Sequence, residues 1–94
     1  MRYRRTSTFK KCFHDLPDDI QRAAKESFKL FKDNPIPPYH PSLRIRKMKG
    51  YPGVWEGHVT RDYVFTFHEE LDPGTEETVI VFRKIGKHDI YRNP

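Results

Sequence analysis

Cysteine is nearly absent from this chain: Cys12 stands alone among 94 residues, so no intrachain disulfide can form, which suits a reducing cytoplasm. No cysteine pair or histidine pair sits at zinc-ligand spacing, so neither a structural metal nor any other cofactor is expected. Long apolar runs are missing too, and nothing approaches the roughly 20 residues that a membrane-spanning helix needs. The first residues, MRYRRTS, hold no apolar segment of a secretory signal and are read as mature sequence. Repeats, low-complexity tracts and internal linkers are also lacking. The chain is therefore expected to form one domain spanning residues 1–94, with little surplus apolar material beyond a single core.

What is plentiful is charge, with an excess of one sign. Lys and Arg outnumber Asp and Glu by 18 to 13, giving a formal charge of +5. Such a surface attracts polyanions or acidic proteins, although charge carries no information about fold.

Apolar periodicity divides the chain. Arg2 to Arg5 are compatible with a short strand. Ser7 is then placed to cap a helix in which Phe9, Phe13 and Leu16, with Cys12 among them, recur at helical spacing. Pro17 suits the first turn of a second helix, and Asp18 and Asp19 favour its positive end. Ile20, Ala23, Ala24, Phe28 and Phe31 form one apolar face, with Lys25, Glu26, Lys29 and Lys32 turned outward. The four prolines of NPIPPYHP (residues 34–41) interrupt any helix. Beyond them Leu43 and Ile45 alternate with Arg44 and Arg46, predicting a strand with one core face and one cationic face.

Trp55 to Val59 and Tyr63 to Phe67 read as adjacent antiparallel strands. A three-residue connection, 60–62, sets Val59 opposite Tyr63. It gathers Trp55, Gly57, Val59, Tyr63, Phe65 and Phe67 on the core side, leaving Glu56, His58, Val64, Thr66 and His68 on an open face. A two-residue connection would expose three aromatics beside His58. Thr78 to Phe82 is a buried strand that Gly86 ends. The expected architecture is α+β, in the order β-α-α-β-β-β-β, with a two-helix hairpin covering a mainly antiparallel sheet of four to five strands.

This order, together with the strings HPSLRIRKMKG, VWEGHVTRDYVFTF and VFRKIGKHDIY, resembles the RelE/ParE superfamily of toxins from toxin–antitoxin pairs, over almost the whole chain. The resemblance implies a cognate antitoxin as partner. It also implies one of two activities: ribosome-dependent cutting of mRNA, or, as in the ParE branch, poisoning of DNA gyrase. An inactive member that only binds an antitoxin is a third possibility. His58, Asp62 and His88 are similar to the histidine and aspartate positions of the family's histidine-rich endoribonuclease branch, and His40 to an additional histidine of that branch. Val64 departs from the pattern, because many relatives carry arginine there. Arg61 and Arg83 are the nearest replacements for that charge.

The residues themselves support such chemistry. Metal-independent RNA cleavage needs a base for the ribose 2′-OH, a cation for the crowded phosphate and an acid for the departing oxygen, and histidine titrates near working pH. His58 and His88 are the candidate acid/base pair; the competing readings are a solvated strand histidine and a cap for the tail. Arg61 can stabilise phosphate charge or be an ordinary turn cation. Asp62 can orient His58 or an arginine, or simply favour the turn. Glu56 is either a proton acceptor or an exposed partner for Arg44 or Arg46. Tyr91 can meet RNA or plug the core. The row Arg44, Arg46, Lys47 and Lys49, with His40 and Arg83, forms the candidate RNA-binding surface, positioned through phosphate contacts.

Overall fold

Alternating strands with rings on one side and polar groups on the other need a partner layer for the rings, and two amphipathic helices supply it. A computed structural model describes all residues, Met1–Pro94. Its elements are β1 (Arg2–Arg5), α1 (Ser7–His14), α2 (Asp18–Asp33), β2 (Arg46–Lys47), β3 (Val54–His58), β4 (Tyr63–Leu71) and β5 (Thr78–Lys87). Two 3-10 helices are added, Pro41–Leu43 and His88–Arg92. The five strands form one mixed sheet in the order β1-β5-β4-β3-β2, with β1 parallel to β5 and every other pair antiparallel. No helix is long and apolar enough to cross a membrane.

The core lies between the helices and one face of the sheet. Phe9, Leu16, Ala24 and Phe31 from the helical layer meet Phe65, Phe67, Ile80, Phe82 and Ile85 from the strands, with Leu43 closing one end. Phe31 is central: its ring stands edge-on to Phe67 at 5.1 Å and to Phe82 at 5.8 Å between centroids, the favoured geometry for aromatic pairs.

The β3–β4 register agrees with the three-residue connection. Trp55 pairs with Phe67, Gly57 with Phe65 and His58 with Val64, and the Val59 N–H donates to the Tyr63 carbonyl at 2.9 Å. Gly57 is required by packing: a Cβ built there would lie 2.3 Å from the Phe65 ring.

Several local expectations are corrected. Thr6, not Ser7, caps α1, its hydroxyl accepting the Phe9 N–H at 3.0 Å. That helix stops at His14 rather than near Leu16, and the Gln21 side-chain amide donates to the carbonyls of Phe13, His14 and Leu16 just beyond. Pro17 is the N-cap of α2 and not its first-turn residue. The predicted strand from Leu43 is a 3-10 turn followed by Arg44 in left-handed conformation (φ 48°), because Pro41 and the His40 imidazole, which accepts the Ser42 N–H, favour a turn. The strand that remains, β2, is two residues long. Gly86 does not end β5, which continues to Lys87.

The face opposite the helices is not open. The segment after β5 folds back across it, and Glu56, Val64 and Thr66 are buried.

Replacing Gly57 with alanine is expected to cost about 1–3 kcal/mol, because the Phe65 ring must leave its position, and Phe31→Ala about 3–5 kcal/mol. Urea titration followed by Trp55 fluorescence checks both; a Gly57→Ala protein as stable as the parent would show that the ring relocates freely.

Candidate functional site

His58 is the last residue of β3, and its face is set by strand alternation. His88 opens the C-terminal 3-10 helix directly after β5. β4 lies between these strands in the sheet, and the fold brings the two imidazoles, thirty positions apart in sequence, to 6.1 Å between ring centroids at an interplanar angle of 65°. Tyr91 stands edge-on to His88 at 5.3 Å. His88 Nε2 lies 3.1 Å from the Arg61 carbonyl. A carbonyl only accepts, so Nε2 carries the proton in this bond, and Nδ1 is the nitrogen left for exchange.

Beside this pair runs a groove of about 500 Å³ lined by Ser42, Arg44, His58, Val59, Thr60 and Arg61. The left-handed backbone at Arg44 and the β3–β4 turn at Arg61 bring two arginines to its walls. Guanidinium pairs well with phosphate oxygens. The Asp62 and Tyr63 N–H groups both donate to the Thr60 hydroxyl, which fixes the turn carrying Arg61. Asp62 itself is an exposed turn residue. No trio of His, Cys, Asp and Glu side chains converges within reach of a metal ion.

Glu56 lies under the site rather than at its surface. It is 3% exposed, directly opposite Arg46 in the β2–β3 ladder, and Arg46 Nε donates to its carboxylate while the rest of that guanidinium side chain stays 73% exposed. The expected surface pair is therefore an anchored carboxylate with one wet partner. The Tyr91 hydroxyl is buried beside it without a hydrogen bond of good geometry. Burial first, then the charge of Glu56, push that phenol far above its usual range, so Tyr91 keeps its proton at any working pH.

His58 is shifted the other way. Partial burial lowers its pKa most, the charges of His88, Arg44 and Arg46 lower it further, and Glu56 opposes them. The imidazole is therefore neutral at neutral pH and able to accept a proton.

Other sequence candidates are not brought to this groove. His40 uses Nδ1 locally, 2.7 Å from the Ser42 hydroxyl. The cationic row divides: Arg44 and Arg46 stand on the His58 side, whereas Lys47 lies over the Trp55 ring at 5.5 Å and Lys49 sits exposed in the following turn. Arg83 lines a separate hollow with Thr6, Thr8, His68, Lys84, Asn93 and Pro94, so it does not replace the charge missing at Val64, which is itself fully buried. Sequence reasoning missed Ser42 and Thr60, whose place in the groove depends on turns with no periodic signature.

The His58 titration followed by NMR is expected to have its midpoint below the ordinary imidazole value near 6.5, and Glu56→Gln to move it lower still, because the one opposing charge is removed. A midpoint that rises in Glu56→Gln would contradict this electrostatic arrangement.

No protein-family model and no curated protein matches the sequence. Solved structures do match. The RelE–RelB toxin–antitoxin complex of Methanococcus jannaschii is 19% identical with a TM-score of 0.67, covering 96% of this chain and 95% of that one. YafQ of E. coli strain BL21(DE3) is 14% identical at 0.72, covering 95% and 96%. A YoeB/ParE toxin of Agrobacterium tumefaciens is 13% identical at 0.70, covering 94% and 99%. Likeness over whole chains at such low identity is a statement about architecture, and the architecture is that of the RelE/ParE toxins.

Proposed function

We propose that this chain is the toxin of a toxin–antitoxin pair, acting in the cytoplasm as a ribosome-dependent endoribonuclease on mRNA. The observation that carries the reading is the approach of His58 and His88 to 6.1 Å beside a groove walled by Arg44 and Arg61. The matched folds include toxins solved with their antitoxins, and this supports a cognate antitoxin as the protein partner.

In this mechanism His58, neutral at working pH, takes the proton of a ribose 2′-OH. The 2′-oxygen attacks the adjacent phosphorus, forming a cyclic phosphate, and the bond from phosphorus to the 5′-oxygen breaks. His88 delivers a proton from Nδ1 to that oxygen, its Nε2–H held by the Arg61 carbonyl. Arg61 and Arg44 offset the charge that builds on the phosphate. Glu56 and Arg46 set the field around His58. The ribosome supplies the substrate placement that a small basic protein does not supply alone.

Primer extension on messages after brief induction tests the reading. The parent is expected to cut within translated regions, and His58→Ala or His88→Ala to lose roughly 100-fold or more of that cutting while retaining the folded circular-dichroism spectrum. Full cutting by both variants would remove the histidines from the mechanism. Gyrase-dependent DNA breaks with intact messages would replace the endoribonuclease by a gyrase inhibitor.

A further inference from the structure

The C-terminal 3-10 helix that bears His88 and Tyr91 is weak as a helix, and its own ties to the sheet are the His88–Arg61 bond and the buried Tyr91 hydroxyl. It is five residues long, contains no buried residue and has no side-chain cap, and 3-10 geometry is weak over such lengths. Its position nevertheless decides whether His88 meets His58.

From its last residue onward, three consecutive backbone oxygens, those of Arg92, Asn93 and Pro94, are each bound by a side chain from elsewhere in the fold. The Tyr51 hydroxyl, from the β2–β3 connection, donates to Arg92 O at 3.0 Å. Lys84 Nζ donates to Asn93 O at 2.5 Å. Arg83 Nε at 3.0 Å and the Thr66 hydroxyl at 3.3 Å both donate to Pro94 O. Arg83 is itself held. Its Nη1 donates to His68 Nδ1 at 2.9 Å, so His68 must offer Nε2–H to Glu70 at 2.8 Å, and Glu70 accepts from Arg4 of β1 at 2.9 Å.

A break in the ladder makes this possible. Thr66 pairs with Lys84 but Phe67 pairs with Phe82, leaving Arg83 as an extra residue in β5. Phe82 and Ile85 both face the helices, and the two cations between them both serve the tail. A regular strand would send one of them into the hydrocarbon core.

We propose that Arg83, assisted by Lys84, is a positioning residue: by clasping the carbonyls of residues 93 and 94 it holds the His88–Tyr91 segment against His58. The proposal rests on the endoribonuclease reading for its catalytic consequence, but the clasp is measurable without it. Arg83 and Lys84 spend donors on the protein's own backbone, which distinguishes them from Arg44 and Arg61, two exposed residues that line the groove.

The test compares the parent with Arg83→Met, the double variant Arg83→Met/Lys84→Met, and Arg83→Lys. In the double variant, amide exchange across residues 88–92 is expected to quicken by about tenfold or more, with β4 amides unchanged. The cross-relaxation signal between the His58 and His88 rings should vanish. In single-turnover cutting of messages on ribosomes, kcat should fall by about tenfold or more with KM for the ribosome within about twofold, since misplacement by an ångström is enough for such a loss. Arg83→Lys, which keeps a cationic donor, should retain more of both signals than Arg83→Met. Unchanged exchange and ring proximity would overturn the clasp, and so would a raised KM at unchanged kcat, which marks a phosphate contact. If the parent cuts no message, the two NMR measurements still decide the clasp, and only the endoribonuclease reading falls.

Discussion

The short connection between β3 and β4 is the constraint on which the rest of the molecule depends. With Val59 bonded across to Tyr63, every residue from Val54 to His68 has its side determined by parity. The rings of Trp55, Phe65 and Phe67 go to the helices, where Phe9 and Phe31 complete the core. Glu56, His58, Val64 and Thr66 go to the other side, where the tail comes down on them. A slip by one residue would put the histidine in the core and the phenylalanines in water. The Thr60 hydroxyl, accepting two backbone N–H groups, thus holds a turn whose geometry decides both the core and the site.

Electrostatics then sorts the polar face. Glu56 is buried and anchored to Arg46, an arrangement that a carboxylate tolerates only with a close cationic partner. It lies below His58 and against Tyr91, so one negative charge is shared by a guanidinium, an imidazole and a phenol. The two arginines lining the groove are on its wet side, free to meet an anion.

Much of this was legible in the residue order. Period-two alternation identified the faces of β3 and β4, helical periodicity identified the apolar side of α2, and the order of elements pointed to the architecture. What escaped has a common physical cause: it is carried by backbone groups rather than by side-chain pattern. The turn at Pro41–Leu43 follows from an imidazole accepting a backbone N–H, and it converted an apparent alternation, Leu43 to Arg46, into a bend. Covering of the polar face by residues 88–94 depends on donors finding carbonyls, to which any sequence contributes equally. Arg83 shows in the sequence as a charge, whereas its partners in the fold, the Pro94 oxygen and His68, do not.

The additional residue in β5 separates two sections of the chain that must answer to different neighbours. Upstream of it, Ile80 and Phe82 keep step with the hydrophobic interior; downstream, Ile85 resumes that step one count later, and His88 follows from the new count. Removing one amino acid between Phe82 and Ile85 would restore plain alternation: Ile85 and His88 would keep their sides, and the loss would fall on the tail, which would have one cation to grip it where it now has two.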